Sequence, residues 1–367
     1  MTVLRPVLEG YIDLNIALVF SLLIWFGARA ALSRTRYAVA YPMQLSLLMA
    51  LFVCVLLSPL LGGAVSHAYH LAAPKSSLAV SDIAVAAFLQ GSIDMKAVEF
   101  EALLNTRQRW LDALVGGNTP LSLGLAGLLA AGASALLARV IRTGLSIRRT
   151  IGASFLWRRT ARVDIRLSDR VRVPFAARGL RRRYVVLPSA MVTQPRAMRF
   201  VLAHEFQHIR QGDVEWEIAF ECFRPLVFWN PAIGVWKAEI DRLRELSCDQ
   251  IVIASRRVDV RDYTTCLLDI CARTVGASSP KVMNVAFVQT GRARRVLKRR
   301  ILALRQGKPQ VATGSHAAVA ILALTLGVAI AIGSASIRQS KDWSQDRLML
   351  STVVNLERLE AINGRGF

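Results

Sequence analysis

Cysteine is sparse in this chain. There are five in 367 residues, at positions 54, 222, 248, 266 and 271, with no CxxC pair. That excludes a disulfide framework and fits a reduced compartment for the segment holding the last four. Cys266 and Cys271 are expected to pack in a core rather than form a metal or redox pair. Histidine is equally scarce, five in all, and acids are outnumbered, 25 against 47 Lys and Arg, for a net charge of +22. The first apolar run ends in Ala28-Arg-Ala30, which looks like a small-residue cleavage site, but the run is read as a retained span rather than a signal peptide. Its positive charges (Arg29, Arg34, Arg36) follow it, whereas a cleaved signal carries them ahead.

Apolar residues are what the chain has in excess. Hydrophobic residues make up 53% and mean hydropathy is +0.38, too apolar for an ordinary soluble domain and too charged for a pure membrane bundle. Four runs have the length and composition of membrane spans, at about residues 14–31, 42–65, 121–141 and 311–332. Residues 142–310 hold 33 of the 47 Lys and Arg but 14 of the 25 acids. Cytoplasmic segments beside spans accumulate such charge. An anionic partner (lipid headgroups, nucleic acid or an acidic protein) is the other explanation, and orientation is taken as the main cause. The reading is then a multi-pass inner-membrane protein with both termini outside. It has an outer loop at 66–119, a cytoplasmic domain at 142–310 and a short outer tail at 333–367.

The cytoplasmic segment reads as α+β. Val163–Leu167, Arg170–Phe175 and Tyr184–Leu187 are short β-prone runs, the last expected to offer an edge to an extended substrate. Arg196–Gln211, Val214–Trp229 and Pro231–Ser255 have helical patterns, with Asn230-Pro231 as a start signal. In the outer loop, Met95–Val115 and Asp82–Gln90 are expected to be amphipathic helices. The basic run Arg178-Gly-Leu-Arg181-Arg182-Arg183 is read as a loop drawn to anionic lipid rather than a nucleic-acid clamp.

One motif carries chemistry. His204-Glu205-Phe206-Gln207-His208 puts two imidazoles at i and i+4, on one helix face, with a carboxylate beside them. Two histidines so placed bind zinc, and Glu205 is positioned as the base that takes a proton from water. A third ligand is needed. The extended metzincin pattern would need Gly at 211 and His at 214, where this chain has Gln211 and Val214. Segment 142–310 holds no further histidine, so the third ligand is expected to be acidic. Glu239, Asp241, Glu245 and Asp249 follow Pro231. Glu245 and Asp249 share a helix face, as a ligand and a hydrogen-bond acceptor for a ligating His would; a solvated acidic face beside Arg242 and Arg244 has the same spacing. No oxyanion-stabilising residue stands out beyond the zinc, with Tyr263 or an arginine as candidates.

The stretch His204–Asp213 resembles the HExxHxxxGD of the beta-lactam-sensing antirepressor (BlaR/MecR-type) membrane metallopeptidases. Phe228-Trp-Asn-Pro231, Glu239-Ile240 and Arg244-Glu-Leu-Ser-Cys-Asp249 resemble its second signature, and Arg261-Asp-Tyr263 and Arg299-Arg300-Ile301 are weaker markers. The resemblance covers about residues 10–335. It implies four spans with a gluzincin-like zinc metallopeptidase domain inserted between spans three and four. It also implies Glu245 as third zinc ligand, Asp249 as its supporting acceptor, and a repressor-type cytoplasmic protein, the chain itself, or both as substrate. One departure is plain. Family sensors carry a penicillin-binding domain after span four, and only about 35 residues follow here, so covalent beta-lactam sensing is not expected. The function expected is membrane-bound, zinc-dependent proteolysis in signal transduction, with membrane lipid and a second copy of the chain as further partners and no direct nucleic-acid binding. The competing readings are a non-proteolytic transducer that binds a repressor or nucleic acid through its basic domain, and a general quality-control protease.

Overall fold

The computed structural model describes residues 4–72, 80–106, 120–179, 181–256, 258–276, 296–305, 322, 325–327, 329–330 and 345–363. Its helices begin with α1 (Leu4–Ser33), α2 (Tyr41–Ala72), α3 (Val80–Leu89), α4 (Ala97–Leu104) and α5 (Pro120–Gly152). Four strands follow: β1 (Phe155–Arg159), β2 (Val163–Ser168), β3 (Phe175–Arg178) and β4 (Arg183–Pro188). Then come α6 (Pro195–Gln211), α7 (Asp213–Phe223), α8 (Pro231–Arg256) and α9 (Val260–Gly276). Residues 296–305 form α10 and Gln345–Asn363 form α11.

Among the described residues, α1, α2 and α5 are long and apolar enough to cross a membrane. In lipid every backbone N–H and C=O must be satisfied within the segment, which a helix does and an open strand does not. The protein is thus a multi-pass membrane protein with a large non-membrane domain. The fourth expected span, 311–332, lies largely outside the described residues; positions 322, 325–327 and 329–330 within it are helical.

The chain divides into two compact units. The first comprises Met1–Phe26, Met49–Leu129 and Ala320–Phe367. In it α3, α4 and α11 share a small core of Val85, Ala97, Phe100, Leu350 and Val354. The rings of Phe88 and Phe100 stack with centroids 4.4 Å apart. Glu357 accepts a hydrogen bond from the backbone N–H of Val98 at 3.1 Å, and Arg358 pairs with Glu101 at 3.0 Å. The C-terminal helix therefore packs on the two helices expected in the loop after α2. Of the helix expected at Met95–Val115, Ala97–Leu104 is present and 107–119 lie outside the described residues.

The second unit comprises Gly27–Leu48 and Ala130–Val319. Its sheet has the order β1-β2-β4-β3, with β2 and β4 parallel and both outer strands antiparallel to their neighbours. The centre is apolar: Val185, Val186 and Leu187 are fully buried, each contributing roughly 1.5–3 kcal/mol by burial. Tyr184–Leu187 is therefore not the expected edge, because β4 is paired on both sides. The edge beside the later helices belongs to β3, which begins where the expected strand Arg170–Phe175 ends. β1, absent from the sequence expectation, is the opposite edge. All five of its residues are exposed, so it has no inward–outward alternation to detect.

Helix α6 is gripped on two sides. Met198, Val201 and Ile209 face Val163, Ile165, Val185 and Leu187 of the sheet. Ala203 packs against Cys248, Val252 and Ile253 of α8 and Tyr263 of α9. The 3.6-residue period leaves His204 and His208 on the stripe between these faces. Gly212, at φ +75°, closes the helix in the left-handed conformation that glycine adopts without strain. Helix α8 opens with Pro231, and the Asn230 side chain accepts from the N–H of Ala232 at 3.0 Å. It is also fastened to the end of α1 and to the turn that follows it. Arg29 of α1 donates to Glu239 at 2.7 Å, and Gln250 donates to the carbonyl of Val39 at 2.8 Å.

Candidate metal centre

His204 and His208 turn their Nε2 atoms toward each other at 3.0 Å. Glu245 of α8 brings Oε2 to 3.6 Å from His204 Nε2 and Oε1 to 3.7 Å from His208 Nε2. A tetrahedral zinc ion with bonds of about 2.0–2.1 Å separates its donors by about 3.3–3.4 Å. The two nitrogens lie close to that value, and the carboxylate offers each of them a different oxygen slightly beyond it, so these residues fit the ion with a small adjustment of the carboxylate. Cys248 forms a second cluster with the two histidines, all donor atoms within 4.8 Å, and this too is consistent with a zinc site. Its Sγ, however, lies 3.4 Å from Nδ1 of His204 and donates to that residue's own carbonyl.

The outward-turned Nδ1 atoms have partners of their own. His208 Nδ1 meets Asp213 Oδ2 at 2.6 Å, and Arg244 lies 3.4 Å from the other oxygen of that carboxylate. His204 Nδ1 is 2.9 Å from the Tyr263 hydroxyl, which donates to Asp249 Oδ1 at 2.8 Å. A hydroxyl has one proton, so with that proton on Asp249 the Tyr263 oxygen accepts from His204 Nδ1–H. Asp249 itself lies 3.3 Å from Nδ1. Both rings thus keep a proton on Nδ1 and turn Nε2 toward the site, the tautomer that metal ligation needs. Arg300 of α10 completes the cluster. Its Nε and Nη2 donate to the two oxygens of Asp249 at 2.7 and 2.6 Å, and Nη1 reaches Glu245 Oε2 at 2.8 Å.

Burial and these partners set the protonation states. Burial alone would lower the His208 pKa, but the Asp213 hydrogen bond, with Cys248 nearby, pushes it up to about 10. His204 is raised well above its ordinary value, its burial outweighed by Cys248, Tyr263 and Asp249. Burial would also raise Glu245, yet the His204 hydrogen bond and the Arg300 charge hold it at about 2. Glu205 is raised, chiefly by burial, with the Glu245 charge adding to it against the two histidines and Arg300.

A cavity of about 570 Å³ opens over the cluster. His204, Glu205, His208, Glu245 and Arg300 line its polar side, and Val173–Arg178, including all of β3, lines another wall.

Residues 12–304 match the family described as BlaR1 peptidase M56. The chain belongs to this family. No curated protein matches it. The M56 match runs from the first span through Arg300 and takes in the whole cluster. This M56 peptidase carries the His204-Glu205-x-x-His208 arrangement of gluzincin zinc proteases.

Of the residues singled out in the sequence, the fold brings His204, Glu205, His208, Glu245 and Asp249 together. Tyr263 is there too, but on the Nδ1 side of His204, away from the cavity-facing nitrogens where an oxyanion stabiliser would act. Asp213, Cys248 and Arg300 were quoted only as parts of motifs, without a role. The Gly212-Asp213 pair was the available signal for Asp213, since it sets an acid one turn past His208. Three arginines of the basic run at 178–183 are held in ion pairs: Arg178 and Arg183 with Glu215, and Arg182 with Asp164 at 2.8 Å.

The raised histidine pKa values have a measurable consequence. Zinc competes with protons for Nε2, so its uptake is expected to release at least one proton. Apparent affinity should climb from pH 6 to 9, by roughly tenfold per pH unit for each proton displaced. Calorimetric titration of the metal-free protein in buffers of differing ionisation heat measures both; a pH-independent affinity would contradict the raised histidine pKa values.

Proposed function

We propose that the protein is a membrane-bound zinc metalloendopeptidase of signal transduction. His204, His208 and Glu245 hold the ion, and Glu205 is the general base. The observation that carries this reading is the convergence of two Nε2 atoms and one carboxylate at tetrahedral spacing. Glu245 is preferred to Cys248 because it approaches the same nitrogens that face each other, whereas the thiol faces Nδ1 of His204. Asp213 supports His208, and Asp249, acting through Tyr263, supports His204.

Zinc, when bound, supplies a Lewis acid that polarises the scissile carbonyl and eases ionisation of water. Glu205 takes the proton from the attacking water as the new C–O bond forms. It then delivers that proton to the leaving amine as the C–N bond breaks. Burial raises its pKa above the ordinary carboxylate range, which makes it a better proton acceptor. An extended substrate has a free edge to pair with in β3, whose residues line the cavity.

By family, the substrate is a cytoplasmic regulator of repressor type, the chain itself, or both. The charge pattern supports an inner-membrane protein with 142–310 in the cytoplasm, a fourth span at 311–332 and both termini outside. Direct nucleic-acid binding loses support from the ion pairs that hold three of the four arginines at 178–183. The test is hydrolysis of fluorescently labelled casein by the purified full chain. Chelator treatment should abolish cleavage and added zinc restore it; undiminished cleavage by metal-free protein would refute the reading.

A further inference from the structure

Arg300 is not among the residues that the zinc-peptidase reading uses, yet it makes the most contacts with that site's carboxylates. It is largely buried, with 14% of its side chain exposed, and all of its charge is committed to acids of one helix. Glu245 and Asp249 lie four residues apart on α8, so they sit one above the other on the same face. Two buried carboxylates at that spacing repel each other unless a cation lies between them. The guanidinium fork fills this place, with two N–H groups on Asp249 and the third nitrogen on Oε2 of Glu245.

We infer that Arg300 is the positioning residue of the metal centre: by bridging Asp249 and Glu245 it orients the Glu245 carboxylate for ligation and holds the acceptor behind His204. The inference rests on the zinc-peptidase reading and adds a residue to it. Three geometric facts support it. With Oε2 engaged by Arg300 at 2.8 Å, Oε1, which lies 3.7 Å from His208 Nε2, is the oxygen of Glu245 that the arginine does not engage, which favours one-oxygen ligation. On its other side the same guanidinium fixes Asp249, which accepts the Tyr263 proton and so sets the His204 tautomer. Finally, Arg300 comes from α10, fifty-one residues beyond Asp249, so neither α6 nor α8 supplies this cation. A planar fork serves two carboxylates at once, which a lysine ammonium does less well.

The test uses the full chain with Co2+ in place of zinc, because the visible absorption of Co2+ reports the number and kind of its ligands. Arg300→Gln removes the charge, and Arg300→Lys keeps the charge but not the fork. Groups that orient ligands typically account for 10–100-fold in metal affinity. Arg300→Gln is therefore expected to weaken zinc, by chelator competition, by about 10–100-fold and to change the Co2+ spectrum. Arg300→Lys should recover part of the affinity with a spectrum closer to that of the unaltered protein. Wild-type affinity and spectrum in both variants would overturn the inference. So would weakened binding with an unchanged spectrum in both, which would mark Arg300 as a charge neutraliser without an orienting role. If Arg300→Gln does not fold, Arg300→Lys alone decides, since an unchanged spectrum and affinity there would remove the need for a fork. Failure of the unaltered protein to bind Co2+ or zinc would instead refute the zinc-peptidase reading.

Discussion

Glu205→Ala is expected to lower peptide hydrolysis by about 10²–10⁴-fold while leaving zinc bound. That range is what a positioned general base supplies. The ion should stay because the converging donors are His204, His208 and Glu245. Glu205 lies next to them in the cavity wall and stands in no hydrogen bond to either Nε2 among the described contacts. Hydrolysis rate and metal content must be measured on the same preparation. Low activity with full zinc identifies a base. Low activity with lost zinc would make Glu205 part of the ligand set, and unchanged activity would remove it from the chemistry.

The second large effect separates the two candidates for third ligand. Glu245→Ala is expected to weaken zinc by more than about 100-fold, above the 10–100-fold lost when only a supporting group goes. It also leaves Arg300 and the histidines without the carboxylate between them. Cys248→Ala should leave affinity within a few-fold of the original, because the buried thiol lies behind His204, on the Nδ1 side. Chelator competition on both variants decides the matter. The reverse pattern, with the thiol indispensable and the carboxylate not, would place the ion among His204, His208 and Cys248 and displace Glu245.

Legibility in the sequence followed distance along the chain. The pair His204 and His208 could be read because helical spacing alone puts both on one face. Glu245 became the candidate third ligand through a scarcity: with no third histidine in 142–310 a carboxylate was the simplest choice, although spacing left four of them and the resemblance chose among them. Helices α6 and α8 were visible through their periodic patterns, and α8 also through Asn230-Pro231 at its head. Arg300 was not legible as part of the site, because its partners lie fifty-one and more residues away and nothing local marks one arginine of an Arg-Arg pair as buried. The contact of α11 with α4 spans 259 residues at Glu357 and Val98, so charge-balanced sequence gave no hint that tail and loop share a core. Strand pairing was misjudged for a related reason. Tyr184–Leu187 reads as a strand, but whether a strand is central or at an edge depends on partners that its own residues do not name.

The fastening of α8 ties the helix that carries Glu245 to the end of the first span. Glu239 and Gln250 are held by Arg29 and Val39, and Glu245 lies between them on one uninterrupted helix. Six residues of helix separate Glu239 from Glu245, about 9 Å at 1.5 Å per residue. The route from the end of the first span to the acid beside the two histidines is therefore one ion pair and a short stretch of continuous helix, with neither the sheet nor a loop between them.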